Sequence, residues 1–177
     1  MEAFECIETR RSIRKFEDRP IDRSTITRLV AEAQLAPTWK NSQTTRFAAF
    51  TDKSLLEDVC QALPGFNAKV VSAAPLLMAV SAVTGHSGFE KDGTPTTVLG
   101  EAYTYFDCGA TVQTFCLAAN SLGIGTVILG IFDQAKLKAL LNIPDNEALV
   151  VLVACGYKLS SPHMPARYPV NDILRLP

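Results

Sequence analysis

The stretch from Glu101 to Leu122 constrains the fold most, because it is apolar on nearly every face of a helix. Its apolar side chains include Tyr103, Phe106, Val112, Phe115, Cys116, Leu117 and Ala119. Such a helix must be buried all round, as the central helix of a core or under a second subunit, and both can hold at once. Gly123 supplies the signal that ends it. With 177 residues, 47% of them hydrophobic, the chain can bury this helix in one domain spanning residues 1–177.

The flanking segments predict alternating helices and strands. Asp22 is an N-cap for an amphipathic helix that stops at Pro37, and Phe4 and Ile7 indicate a shorter helix before it. Strands are predicted at 46–51, 76–83, 126–129 and 148–155, and a helix capped by Asp133 runs to Leu141. The continuous apolar run of 148–155 is typical of an interior strand. The pattern predicts an α+β or α/β sandwich with one central sheet, and the polar, glycine-rich segment 84–100 is a long loop of the kind that often forms a lid.

Composition excludes several classes of function. The formal net charge of -1 and the sequence pI of about 6.1 give no overall basic field, which argues against nucleic-acid binding. Five cysteines without a CxxC pair argue against a disulfide framework, and His86 and His163 do not stand at metal-ligand spacing from a cysteine. There is neither a signal-peptide pattern nor a run of eighteen apolar residues, so we expect a cytoplasmic protein without a metal site or a membrane span.

Positive charge is nevertheless concentrated near the start of the chain. Three guanidinium groups and a hydroxyl stand within five positions: Arg10, Arg11, Ser12 and Arg14. Arginine presents a planar fork of donors that grips phosphate oxygens in pairs, so the cluster reads as an anion site. It reads equally as a solvated helix end, where cations gain roughly 0.3 to 1 kcal/mol from the helix dipole. Spacing alone leaves both interpretations open.

A second segment, 36–43, places small polar groups, two amides and Trp39 in a loop after a helix, and could hold a flat heterocycle. The glycine pair Gly123 and Gly125 does not fit a dinucleotide-binding fingerprint, because it follows a helix and leads into a strand. We interpret these glycines as a helix cap and a turn.

Taken together, these segments resemble the nitroreductase family of flavoproteins. The family motif Arg-Arg-Ser-x-Arg-x-Phe is matched by residues 10–16, and Ala-Pro-Ser-x-x-Asn-x-Gln-Pro-Trp-x-Phe by residues 36–47. In the second motif Thr38 replaces the serine, and Thr44-Thr45 replaces the Pro-Trp pair, which puts the packing of that pair in doubt. Asp107, opening a helix, is followed by further similar stretches at 117–126, 129–133, 140–144 and 156–157. The resemblance extends from Arg10 to about Val170.

The resemblance implies an α+β fold, a three-layer α/β/α sandwich with a central, mostly antiparallel sheet, assembled as a homodimer. It also implies FMN as the cofactor, NAD(P)H as electron donor and a small-molecule oxidant, such as a nitroaromatic, a quinone or an activated alkene. The two substrates would react in turn by a ping-pong mechanism. No side-chain acid or base is required, so no catalytic residue is assigned.

Site residues carried over from the resemblance fall into three groups. Arg10, Arg11 and Arg167 would bind the FMN phosphate, Ser12 the ribityl chain or phosphate, and Arg14 the pyrimidine edge, where it would tune the flavin. The partner subunit would contribute Pro37, Thr38, Trp39 and Asn41 to the flavin rim. Leu129 and Gly130 would place backbone near flavin N5, and Asn67, together with Lys69, could reach the pyrimidine.

Alternatives stay open for several of these assignments. Trp39 could simply pack with its N–H satisfied, and Cys108 and Cys116, two turns apart on the apolar helix, read as inert core thiols. The chain could also be a specialised flavin enzyme of the same fold, for reductive dehalogenation or flavin fragmentation, or a flavin- or nucleotide-binding module without turnover.

Overall fold

The computed structural model describes residues 2–176 and is built around one antiparallel sheet. Its strands are β1 (Thr45–Phe50), β2 (Leu76–Val83), β3 (Ile124–Leu129) and β4 (Glu147–Tyr157). They lie in the order β1-β2-β4-β3, and all three pairings are antiparallel. β4 is therefore an interior strand, as its continuous apolar sequence predicts.

Helices connect the strands and lie near the predicted positions. They are α1 (Ala3–Thr9), α2 (Arg23–Ala33), α3 (Lys53–Cys60), α4 (Gly65–Val71), α5 (Ala102–Ser121), α6 (Gln134–Leu140) and α7 (Val170–Ile173). The predicted caps are confirmed: Asp22 accepts a hydrogen bond from the Thr25 N–H, and Asp133 accepts one from the Lys136 N–H. α2 ends at Ala33, earlier than predicted. None of the helices within residues 2–176 is long and apolar enough to cross a membrane.

Two separate apolar clusters cover the two faces of the sheet, which confirms the three-layer sandwich. On one face α2 and α5 pack through Leu29 and Phe115 against Met78 of β2. On the other face α3, α4 and α6 pack through residues such as Val59, Val71 and Leu137. β2 is buried along almost its whole length because it has a helical layer on each side.

The long helix α5 departs from the prediction in two ways. It is not buried all round within one chain, because Phe106 is 70% exposed and Tyr105 is 48% exposed. Asp107 does not open the helix but lies inside it, since the helix begins at Ala102. The second half of α5 is the central core helix that the sequence predicts, with Phe115 and Ala119 fully buried.

The two glycines after α5 have different roles, which corrects their interpretation as a cap and a turn. Gly123 has a φ of 77° and ends the helix. Gly125 lies inside β3, where an added Cβ would stand 2.6 Å from Ile13 Cγ1. It pairs across the strands with Gly156, where a Cβ would stand 2.8 Å from the Phe16 ring. This glycine pair forms a groove in the sheet surface that accepts residues 13–16.

Candidate functional site

The segment that carries the first arginines is fixed to the sheet. α1 ends at Thr9, and the chain then runs extended beside β3, where Ser12 forms a parallel bridge with Thr126. The Ile13 N–H donates to the Thr126 carbonyl at 2.9 Å. Ile13 and Phe16 are buried in the glycine groove, so apolar burial anchors the segment while its arginines stay accessible.

The fold brings all four predicted arginines to one cavity of about 160 Å³, which we call the arginine cavity. Its lining residues are Arg10, Arg11, Ser12, Arg14, Pro162, His163, Pro165 and Arg167. Arg167 reaches it from the exposed segment that follows β4, so residues far apart in sequence converge. His163 was not predicted for the site. The only sequence signal for its position is the proline-rich run 162–169, which favours an extended arm.

The arginine cavity carries positive charge that the chain itself does not neutralise. In every ion pair among residues 2–176 the cation is a lysine, so none of the four guanidinium groups pairs with a carboxylate. Arg11 Nη1 donates to the carbonyls of Glu8 and Arg10, which makes it also a cap for α1. The helix-end interpretation thus holds for Arg11 in part. The charge, the hydroxyl of Ser12 and the forked donors together suit a phosphate or a similar anion.

The predicted second segment forms a strained loop at 37–43. Lys40, Asn41 and Gln43 have φ values of 45°, 56° and 48°, a conformation that glycine adopts more readily. The Gln43 N–H donates to Thr38 Oγ1 at 3.1 Å, which closes the loop on itself. Pro37 and Asn41 are exposed. This loop is not part of the lining of the arginine cavity.

Trp39 packs as the structural interpretation predicts but, among the residues that the structure describes, its N–H is not satisfied as that interpretation requires. Its ring packs against Tyr103 with centroids 4.1 Å apart, as a structural tryptophan would. Its indole Nε1, however, is buried without a hydrogen-bond partner within residues 2–176. A buried donor without an acceptor costs free energy, so this N–H suits a ligand or a second chain as its partner.

Thr45, in the Thr44-Thr45 departure from the family motif, lines a cavity of about 560 Å³. This cavity is lined by Val30, Gln34, Ala36, Thr38, Ser42, Gln43, Thr45, Arg46, Phe47 and Thr111. Thr44 is 2% exposed, and its hydroxyl has no hydrogen-bond partner in the described part of the chain.

The third predicted group gathers after β3. Asn67 is buried in α4 and its Nδ2 donates to the carbonyl of Ile131 at 3.0 Å, directly beyond Leu129 and Gly130. Leu129 is buried and Gly130 is exposed, whereas Lys69 points away on the exposed side of α4. The structure therefore brings Asn67 next to the backbone at 129–131 and commits its amide nitrogen to that contact.

Cys108 and Cys116 are buried in the core. Burial raises the pKa of the Cys108 thiol to about 11 and also raises the pKa of Cys116, so both stay protonated at neutral pH. This confirms their interpretation as core thiols. Within residues 2–176, no group of three or more His, Cys, Asp or Glu side chains is placed to bind a metal ion.

Comparison with known proteins gives a consistent result. The model of the nitroreductase family matches residues 7–157. An Archaeoglobus fulgidus protein named as an NADH dehydrogenase/NAD(P)H nitroreductase is 31% identical over 88% of this chain and 85% of its own. The NADPH-flavin oxidoreductase of Vibrio harveyi is 27% identical over 97% of this chain and 72% of its own.

A third relative has a different activity in its name. The 5,6-dimethylbenzimidazole synthase of Rhodospirillum rubrum is 27% identical over 94% of this chain and 84% of its own. Among solved structures, a nitroreductase family protein of Streptococcus pneumoniae superposes with a TM-score of 0.88, covering 99% of this chain and all of its own, at 22% identity. That likeness shows the shared fold.

Proposed function

Because the chain belongs to the nitroreductase family, we propose that it is a homodimeric, FMN-dependent oxidoreductase that passes electrons from NAD(P)H to small oxidants by a ping-pong mechanism. The oxidants would be nitroaromatics, quinones or activated alkenes. The observation that carries the proposal is the arginine cavity, where four guanidinium groups and the Ser12 hydroxyl converge without a carboxylate beside them. FMN, when bound, supplies the two-electron chemistry that connects the two substrates.

In this proposal Arg10, Arg11 and Arg167 bind the phosphate of FMN and Ser12 donates to its phosphate or ribityl oxygens. Forked, permanently charged donors suit a group that carries up to two negative charges and several acceptors. Residues 12–16 are fixed by backbone hydrogen bonds and by burial of Ile13 and Phe16, so little ordering is needed when the anion binds.

Arg14 has a different role from its neighbours in the proposal. It is exposed at the edge of the arginine cavity, where its guanidinium donates a long 3.3 Å hydrogen bond to the Ser12 carbonyl. A cation held near the pyrimidine edge favours the negative charge that reduction places on the ring. The backbone at Leu129 and Gly130, braced by Asn67, would face the opposite part of the ring.

The 37–43 loop is proposed to act in the site of a second copy of the chain. Within one chain it lies apart from the arginine cavity, and the described residues 2–176 offer the indole N–H of Trp39 no acceptor. Exposed apolar residues on α1, α5 and the segment after β4 support association, for example Phe4, Phe106 and Tyr168, which are at least 70% exposed. The five free thiols support a reducing, cytoplasmic location.

A second candidate function is a specialised flavin enzyme of the same fold. It is favoured by the relative named as a 5,6-dimethylbenzimidazole synthase, which is similar along most of its length. A flavin-binding module without turnover remains a further alternative. One experiment separates the three candidates, because each predicts a different response of the bound flavin to the electron donor.

The test is to purify the protein, measure bound flavin by absorbance, and add NADH or NADPH under anaerobic conditions. We expect the flavin absorbance to fall, and a nitroaromatic or quinone to restore it. A colourless protein that also fails to bind added FMN would refute the proposal. Bound flavin that neither nicotinamide reduces would favour the module without turnover. Flavin that is consumed in oxygen after reduction, rather than restored, would favour the specialised enzyme.

Sedimentation velocity tests the assembly. We expect a dimer whose dissociation constant rises when FMN is removed. A monomer that carries bound FMN would contradict the placement of the 37–43 loop in the site of a second copy.

A further inference from the structure

The side chain of Asp107 is a buried carboxylate with no cationic partner. It is 1% exposed, and no ion pair within residues 2–176 involves it. A buried carboxylate is costly unless hydrogen bonds compensate it. Its Oδ2 accepts three of them: from the Trp39 backbone N–H at 2.9 Å, from Ser42 Oγ at 3.3 Å, and from the buried Ser87 Oγ.

These donors belong to two different segments. Trp39 and Ser42 stand on either side of Lys40 and Asn41, two of the three residues with positive φ in the 37–43 loop, and Ser87 belongs to the 84–100 segment. A single oxygen atom on α5 therefore joins both segments. Hydrogen bonds to a charged acceptor are stronger than those between neutral groups, so this junction is a strong local constraint.

The 37–43 loop needs such a constraint because its own sequence does not favour its conformation. Three non-glycine residues in four positions have positive φ, and each is a source of backbone strain. Strained backbone persists only where surrounding structure fixes it. The carboxylate of Asp107 fixes the residues on both sides of Lys40 and Asn41, Trp39 and Ser42, to a long, well-packed helix.

The 84–100 segment is attached to the same loop at its surface as well. Lys40 Nζ and Glu90 Oε1 form an ion pair at 2.8 Å. Within the 84–100 segment, the backbone of Gly88 lies against that of Gly100. Any side chain at position 88 would collide with the carbonyl of Gly100. The two segments are thus joined by one buried and one exposed contact.

We propose that Asp107 is a positioning residue that fixes the 37–43 loop and, through Ser87, couples it to the 84–100 segment. It would act on binding through the loop and touch neither cofactor nor substrate. This inference rests on the proposed function only for its effect on FMN, because the coupling of the two segments is a property of the chain itself.

The test uses Trp39, the single tryptophan of the chain, as a probe inside the loop. Acrylamide quenching of its fluorescence is measured in FMN-free protein for the wild type, Asp107→Asn and Ser87→Ala. The matched control is Asp52→Ala, which removes the N-cap of α3, an exposed carboxylate that accepts from the Leu55 N–H, away from both segments. We expect both test variants to raise quenching above the wild type, and the control to leave it unchanged.

Hydrogen exchange supplies a second readout of the coupling. Ser87→Ala should speed exchange in residues 38–43 as well as in the 84–100 segment, because the shared carboxylate transmits the loss. Unchanged quenching and exchange in both folded test variants would overturn the proposal, and so would an equal rise in Asp52→Ala, which would indicate general loosening. If Asp107→Asn does not fold, Ser87→Ala decides by the same criteria.

FMN titration then separates this inference from the proposed function. We expect Asp107→Asn to raise the FMN dissociation constant about tenfold and Ser87→Ala to raise it less, since a charged acceptor is lost only in the first. In the loaded enzyme Ser87→Ala should raise KM for the oxidant more than it lowers kcat. Raised quenching without any change in FMN affinity would keep the anchoring role and refute the placement of the loop at the flavin.

Discussion

The arginine segment and the 37–43 loop are both irregular stretches that carry predicted cofactor contacts, yet they are held in place by different means. Residues 12–17, which follow Arg10 and Arg11, run along the sheet: the Ile13 N–H donates to the Thr126 carbonyl, the Glu17 N–H donates to the Tyr157 carbonyl, and two apolar side chains lie in a glycine groove. The 37–43 loop has strained backbone and depends on a side-chain carboxylate for its anchor. The first is positioned by regular structure and apolar burial, the second by one buried polar junction.

This difference has a consequence for how each region tolerates change. In the arginine segment the chemistry resides in accessible guanidinium groups, and except for Arg11, which also caps α1, they can be removed without loss of a backbone anchor. In the 37–43 loop the anchoring atoms are buried, so their removal alters the conformation itself. Substitutions should therefore separate binding from conformation in the first region and affect both in the second.

The largest effect is expected from Arg10→Ala. Loss of a charge-assisted contact to phosphate should weaken FMN binding by about 1.5 to 3 kcal/mol while leaving the free energy of unfolding of the FMN-free protein nearly unchanged. Fluorescence titration and urea unfolding measure the two quantities. Arg23→Ala, an exposed arginine on α2, is the matched control. If both arginine variants bind FMN equally well, Arg10 does not bind the phosphate.

A smaller effect, on stability, is expected from Gly125→Ala. The added methyl would stand 2.6 Å from Ile13 Cγ1, so the arginine segment must shift, at a cost of about 1 to 3 kcal/mol in the free energy of unfolding. Gly65→Ala is the control, because a Cβ there meets no atom within 4 Å. Urea unfolding at a fixed protein concentration measures the difference. Equal stability of the two variants would mean that the glycine groove does not anchor the segment.

The smallest effect is expected from the exposed contact between the two loops, Lys40 with Glu90. The hydrogen bond from Lys40 lowers the pKa of the Glu90 carboxyl, so the pair stabilises the folded state above the ordinary glutamate pKa. That stabilisation is lost as pH falls through the lowered pKa, and salt should weaken it. The thermal unfolding of wild type and Glu90→Gln should converge at acid pH. A constant difference across the pH range would exclude this pair as the cause.

Much of the fold could be predicted because it depends on local patterns. The caps at Asp22 and Asp133, the interior strand β4 and strand β2 follow from periodicity and capping, which act within a few residues. The complete burial predicted for α5 was wrong within one chain, since the apolar composition of a helix does not show which of its side chains the rest of the chain covers, and Phe106 is exposed. The prediction that Gly125 forms a turn was wrong. Glycine is required at this strand position because Ile13 packs directly on its backbone, and that contact with a distant segment leaves no local sequence pattern.

For the candidate site, too, some features could be predicted from the sequence and others only from the tertiary structure. The sequence by itself determined that a chain with clustered arginines, a polar loop after a helix and these motifs resembles the nitroreductase family, and the family match supports that. The resemblance also placed Arg167 with Arg10, and the structure brings both to one cavity. Only the tertiary structure decided that His163 lines the same cavity, and that Asp107 and Ser87 meet at the 37–43 loop. Contacts between residues this far apart depend on how helices and strands pack, and no local pattern records the side chain that a distant segment will provide.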